Sequence, residues 1–251
     1  MARRNKPLSK WIGDLTAPIF MYPHDIALFL QSARTDSAIV AAKKTVGARG
    51  AFEAAYTDSA DPWRSASPRY RYQRRKYEVL VSLLPRARTY ASVLDLGCGL
   101  GTLSRLLAPR AGQVLGLDLA QAAVDRATEA SAGFGNVGFR QGDVTALPRD
   151  LDGQFDLVVV ADTLYYLMAL GDEALTGIAS RIADLLSPGG TCLVANHYFA
   201  RWDRDSRLSR RIHDRFIQSD DFTLSSEHRR PFYLASLLTM TRPGMLTTGA
   251  A

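Results

Sequence analysis

The stretch Val93-Leu-Asp-Leu-Gly-Cys-Gly-Leu-Gly-Thr-Leu-Ser104 decides the fold. It opens as an apolar run rich in branched residues, which reads as a buried strand. It breaks at Gly97, Gly99 and Gly101, spaced two apart, and resumes as an apolar-periodic segment over 103–107. Strand, glycine turn and helix form the layout in which a ligand meets a helix N-terminus at the carboxyl end of a parallel strand. Glycine permits positive φ and carries no Cβ to block a ligand lying against the backbone. A dinucleotide fingerprint, G-x-G-x-x-G, would seat a pyrophosphate there. Here the third glycine comes one residue early, and Asp95 stands two residues before the first. A carboxylate at that place repels a pyrophosphate but accepts hydrogen bonds from an ammonium group. A glycine turn can also serve shape alone, so the decision passes to the flanking chain.

Downstream, strands and helices alternate, which predicts a doubly wound α/β sheet. The pattern places strands over 92–96, 113–117, 137–140, 155–161 and 191–196, with helices over 120–130 and 173–186. The run Phe155-Asp-Leu-Val-Val-Val-Ala161 has the continuous apolar character of a central parallel strand. Asp118 follows the second strand, 21 residues beyond Gly97, where a carboxylate suits vicinal ribose hydroxyls. Its plainer reading is a cap on the next helix. Asp143 follows the third strand, where it could accept from an adenine amine while the Val144 N–H faces a ring nitrogen; otherwise it is a turn aspartate. Asp162-Thr-Leu-Tyr-Tyr-Leu167 and Asn196-His-Tyr198 follow the fourth and fifth strands, on the edge where open α/β sheets bind substrates. Ser187-Pro-Gly-Gly190 predicts a sharp helix stop, 201–215 a surface helix or long loop, and 222–227 with 232–240 a closing pair of strands.

Upstream, residues 1–20 read as loose or draped chain and residues 243–251 as a frayed tail. A helix over 25–33 puts Ile26, Phe29, Leu30 and Ala33 on one face, and a second starts at Asp36 or Ser37 as N-cap and ends near Gly47. Asp61-Pro-Trp63 starts a turn, and a helix over 68–84 follows with Tyr77, Leu80 or Val81, and Leu84 inward and Arg71, Arg74, Arg75 and Lys76 mostly on other faces. The organisation expected is a 1–50 extension, a 51–90 helical cap, a 91–242 ligand-binding domain and a tail. The cap would bring Trp63, Tyr70 and Arg75 toward the pocket as a lid, and truncation of 1–50 is expected to be better tolerated than loss of Trp63 or Arg75. The plainer reading is a helix that only buttresses the sheet.

The 251 residues are 47% hydrophobic, ample for one core, and no apolar run approaches the ~20 residues of a membrane helix. The net charge of +6 is uneven: residues 1–90 carry 16 Lys/Arg against 7 Asp/Glu, and the remainder 15 against 18. No interleaved aromatic and basic repeat accompanies the basic front, so a solvated face is expected rather than a nucleic-acid arm. Cys98 and Cys192 form neither a metal spacing nor a disulfide framework, so no metal is expected and a reducing cytoplasm is the natural compartment.

The segment Asp95-x-Gly97-x-Gly99-x-Gly101, with Asp118, Asp143 and the Leu-Ser-Pro-Gly-Gly turn, resembles the class I S-adenosylmethionine (AdoMet) methyltransferases over 91–240. The resemblance implies a seven-stranded sheet of order 3-2-1-4-5-7-6 with the last strand antiparallel. It also implies AdoMet as cofactor. Asp95 and the backbone of Gly97, Gly99 and Gly101 would hold its amino-acid end, Asp118 and Leu119 the ribose, Asp143 and Val144 the adenine, with Asp162 nearby. Asp61-Pro-Trp63, the helix after it and the Asp162–Leu167 stretch look like the nodulation protein S family, which N-methylates a glucosamine unit of a chitooligosaccharide. That narrower likeness implies a small-molecule acceptor, an amino sugar, amine or natural product.

Methyl transfer from a sulfonium is an in-line displacement, so holding three atoms collinear supplies most of the catalysis. His197, Asp162 and Tyr165 are the candidate catalytic groups, His197 having the best unperturbed pKa for a general base. Tyr166 offers an aromatic face to a cation. The competing functions are a nucleic-acid methyltransferase docking through the basic segment and a non-catalytic AdoMet-binding protein.

Overall fold

The computed structural model describes residues 23–167, 170–230 and 232–241. The expected loose start and frayed tail lie outside the described residues. Two helices come first, α1 (Pro23–Asp58) and α2 (Arg71–Leu83). The alternating part follows as β1 (Tyr90–Leu96), α3 (Thr102–Leu107), β2 (Ala111–Asp118), α4 (Gln121–Ala130), β3 (Val137–Gln141) and β4 (Phe155–Ala161). It closes with α5 (Asp172–Leu185), β5 (Leu186–Tyr198), α6 (Arg204–Ile217), β6 (Phe222–Arg230) and β7 (Phe232–Met240).

The strands form one seven-stranded sheet in the order β3-β2-β1-β4-β5-β7-β6, with β7 antiparallel to both neighbours. Alternation along the strands separates two apolar layers. Leu94, Leu96, Val158, Val160, Cys192 and Val194 pack under α5 and α6, while Val93, Val159, Leu193 and Ala195 face α2 and α3. Chain order reverses between β1 and β4, and all five parallel strands β1 to β5 present their carboxyl ends to the same edge. A crevice opens at such a reversal.

Two expectations about the N-terminal helices need correction. The helices expected over 25–33 and from 36 are one helix; α1 runs through residues 34–37 and breaks only at Gly47 (φ 73°, ψ 175°). It also crosses the boundary expected at residue 50. The helix stop expected at Ser187-Pro-Gly-Gly190 is found, α5 ending at Leu185, and the turn residues form an irregularity in β5: Phe155 pairs with Leu186 and Leu157 with Thr191, so the surplus residues loop out.

Helix α1 is pinned at both ends, to α4 of the sheet domain and to α2. At its C-terminal half, Glu53 caps α4 by accepting from the N–H groups of Gln121 (2.7 Å) and Ala122 (3.1 Å). Arg126 returns the clasp by donating to the carbonyls of Tyr56 and Ser59. At its start, buried Asp25 accepts from the N–H of Arg71 at the head of α2 (3.1 Å). The Asp61-Pro-Trp63 turn forms as expected, Asp61 accepting from the N–H groups of Ser65 and Ala66.

Candidate active site

Over the carboxyl edge lies a cavity of about 720 Å³, floored by the ends of β1, β2 and β4 and roofed by α1 and α2. Gly97, Gly99 and Gly101 all take left-handed backbone (φ 73°, 53° and 68°), so the turn requires glycine. The space left by their missing Cβ atoms is filled by protein rather than by ligand. A Cβ on Gly97 would sit 2.0 Å from Thr163 Oγ1, one on Gly99 2.8 Å from the Tyr56 hydroxyl, and one on Gly101 2.5 Å from the Phe139 ring. The turn's donors are committed too. The N–H groups of Gly97 and Cys98 donate to the carbonyl of Leu117, that of Gly99 to Asp118 Oδ2 (2.9 Å), and that of Gly101 to Cys98. A pyrophosphate needs such N–H groups, and here it would also meet the carboxylates of Asp118 and Asp143.

Asp118, Leu119, Asp143 and Val144 line the inner cavity, as do Gly97 and Gly99. Asp118 is nearly buried, accepts from Gly99 and Ala120 N–H groups, and is raised above the usual carboxylate range by desolvation. Asp143 Oδ1 accepts from the N–H and hydroxyl of Thr145, which fixes its carboxylate at the rim. Asp95 and Gly101 are placed differently from expectation. Neither is among the residues lining the cavity; Asp95 shares the strand face of Val93, is buried behind the turn, and accepts from Ser104 Oγ at 2.6 Å. Burial lifts its carboxyl to about 6.

The outer cavity holds His197, Asp162, Tyr165, Tyr166, Trp63 and Tyr70, so these expected residues do converge. His197 packs beside the Phe29 and Phe232 rings (5.9 and 6.5 Å), which also contact each other, and burial holds its pKa below the ordinary histidine value. Asp162, at φ 57°, is not a lone carboxylate; it pairs with the Lys76 ammonium, which is only 5% exposed. Arg75 is corrected outright. It is exposed on the outer side of α2 and is not among the cavity residues, and Arg74 pairs outside with Glu78. The inward cation is Lys76, four residues from both buried Tyr72 and buried Leu80.

Sequence reasoning also left out Phe29, Asp36 and Lys43 of α1, which line the same cavity. Asp36 Oδ1 accepts from Trp63 Nε1 (2.7 Å) and from the Tyr166 hydroxyl, and Lys43 Nζ donates to the Tyr166 carbonyl (2.7 Å). Residues 1–50 therefore contribute part of the cavity wall. Among the described residues no cluster of metal-ligating side chains occurs and no helix is long and apolar enough to cross a membrane.

This sheet order and glycine turn, with carboxylates beyond the second and third strands, define a class I AdoMet-dependent methyltransferase fold. Residues 93–190 match a family described as a methyltransferase domain. Nodulation protein S of Bradyrhizobium diazoefficiens is 30% identical over 107 residues, covering 43% of this chain and 49% of that protein. Trans-aconitate 2-methyltransferase of Deinococcus radiodurans is 37% identical over 123 residues, covering 47% of this chain and 43% of its own. The chain thus spans about half the length of these relatives. Among solved structures, the N-methyltransferase NodS of Bradyrhizobium japonicum, in complex with S-adenosylhomocysteine, superposes with a TM-score of 0.62 at 20% identity, over 72% of this chain and 93% of that one. At that identity the likeness speaks for the fold.

Proposed function

We propose that this protein moves a methyl group from AdoMet to a nitrogen or oxygen of a small-molecule acceptor, an amine, amino sugar or natural product. The observation that carries the reading is one continuous cavity whose inner wall has the carboxylates of Asp118 and Asp143 and whose outer wall is aromatic. Bound AdoMet supplies an electrophilic methyl on a sulfonium. Asp118 would accept from ribose hydroxyls through lone pairs left after its two backbone bonds, with Leu119 beside it. Asp143 and the Val144 N–H would read the adenine edge. The committed N–H groups of the turn and the surrounding carboxylates favour a cationic ligand over a diphosphate.

The roof formed by α1 and α2 covers part of the carboxyl edge, and exclusion of water beneath it would strengthen electrostatics inside. His197 is unprotonated at neutral pH because burial disfavours its cation, so it is in the form that accepts a proton from an acceptor N–H or O–H. Asp162, held by Lys76, acts as a fixed wall charge, and the Tyr165 and Tyr166 rings face the acceptor. Two buried cysteines without a disulfide suit a reducing compartment, and we assign the protein to the cytoplasm.

The test is production of S-adenosylhomocysteine from AdoMet in a screen of amines, amino sugars and phenols, with calorimetry of S-adenosylhomocysteine binding. Asp118→Ala should weaken that binding at least about tenfold, since a hydrogen bond to a charged group contributes about 1.5–3 kcal/mol. No binding by the parent protein defeats the reading; equal binding by the variant reduces Asp118 to a cap of α4.

A further inference from the structure

Among the described residues, Asp36 is a carboxylate of the outer cavity that no ion pair reaches, the Lys76 ammonium acting on it only through space. Three carboxylates (Asp36, Asp162, Asp205) and two ammonium groups (Lys43, Lys76) line this half. Lys76 is bound to Asp162, and Lys43 to a carbonyl. Tyr165 hydrogen-bonds Asp205. Among the described residues Asp36 accepts only from neutral donors, the Trp63 indole and the Tyr166 hydroxyl, both on Oδ1. Phe52 packs edge-on to Tyr166 (4.9 Å) and Tyr56 lies 5.4 Å from Trp63, so aromatic rings surround the carboxylate.

A carboxylate taken out of water without a directly bonded counter-ion is costly, and burial pushes the Asp36 carboxyl up although the Lys76 charge opposes it. Such a group, ringed by aromatic faces, is the complement of a small cation. We propose that Asp36 binds the amino group of the acceptor, with Trp63 and Tyr166 fixing Oδ1 so that the carboxylate meets the ligand in one orientation. This rests on the methyl-transfer reading and sharpens it: the acceptor is an amine, and a carboxylate acceptor is repelled. The selecting charge comes from α1, outside the 93–190 methyltransferase match.

The test uses the full chain, labelled with nitrogen-15 and saturated with S-adenosylhomocysteine at neutral pH. Failure to bind S-adenosylhomocysteine sinks the methyl-transfer reading itself; all later outcomes bear on Asp36 alone. The probes are ethanolamine, benzylamine and glucosamine against ethylene glycol, benzyl alcohol and glucose, pairs that exchange an amine for a hydroxyl. At least one amine should bind at least about tenfold more tightly than its alcohol, the scale of a charge-assisted contact. It should also shift the Trp63 indole N–H resonance, assigned by its absence in Trp63→Phe. Asp36→Asn should erase the preference while S-adenosylhomocysteine affinity stays unchanged. No preference in the parent, or a preference that survives Asp36→Asn, overturns the proposal. If Asp36→Asn no longer binds S-adenosylhomocysteine, nuclear Overhauser contacts from the bound amine's methylene protons to the Trp63 indole in the parent decide, and their absence overturns it.

Discussion

Gly97→Ala and Gly189→Ala make a matched pair that isolates what the glycine turn requires. Both residues have φ 73°, but a Cβ on Gly189 meets nothing within 4 Å, whereas one on Gly97 lands 2.0 Å from Thr163 Oγ1 and 2.6 Å from its Cγ2. Left-handed backbone costs a residue with a Cβ about 1–2 kcal/mol, and that is the whole cost expected for Gly189→Ala. At Gly97 the threonine must also move. Its hydroxyl donates to the carbonyls of Leu96 (2.8 Å) and Ala161 (3.2 Å), a shared bond of about 1 kcal/mol. Turning the side chain off its rotamer adds about 0.5–1.5 kcal/mol. Gly97→Ala should therefore cost about 2.5–4.5 kcal/mol, against about 1–2 for Gly189→Ala. Urea unfolding of both variants, compared at equal slope, measures the difference. Thr163→Ala in the Gly97→Ala background should recover part of the loss, since it removes the two nearest atoms. Equal destabilisation by the two alanines, or no recovery, would show that the Thr163 contact does not govern the turn.

Asp95→Asn should stabilise the ligand-free protein at pH 7. The Asp95 carboxyl at about 6 holds a proton in the folded state that the unfolded chain releases near 3.9, so the parent loses stability as pH rises between those values. The loss, up to about 3 kcal/mol for a shift of about two pKa units, should vanish from the pH dependence of unfolding in the variant. His197→Ala should lower turnover but not S-adenosylhomocysteine affinity. In the parent, activity should rise with pH through a midpoint below the ordinary histidine value of about 6.5 and then stay level, since burial lowers the His197 pKa; a level profile down to pH ~5 argues against a base role. Deleting residues 1–50 should abolish acceptor turnover by removing Phe29, Asp36 and Lys43 from the cavity, whereas exposed Arg75→Ala should leave turnover and binding as they were; steady-state kinetics reads both.

The sheet was legible because its signals are local. A strand such as β4 is announced by its own apolar run, and the turn after β1 by glycines whose positive φ the structure bears out. Asp118 and Asp143 were legible for the same reason, being tied to strand ends. Asp36 was not. Read along the chain it is an N-cap, because Arg34-Thr-Asp-Ser37 interrupts the apolar pattern; what keeps α1 helical there is held from 27 and 130 residues away, by Trp63 and Tyr166. Lys76 was hidden by its arginine neighbours, although its spacing of four from Tyr72 and Leu80 puts it on the buried stripe. Charge type suggested solvent, and the partner that reverses that, Asp162, lies 86 residues on.

The break of α1 at Gly47 and its clasp on α4 through Glu53 and Arg126 leave the roof of the cavity as a nearly separate length of chain. The floor descends from the strands; the roof does not contribute one. A lineage could therefore reshape the outer cavity wall by rewriting the 23–83 segment while Asp118 and Asp143, set at strand ends, stay fixed. The same seam is where a chimaera should be cut. Carrying Glu53 and Arg126 together would preserve the joint, and transplanting the roof without its arginine partner would leave the carbonyls at the end of α1 without their donor.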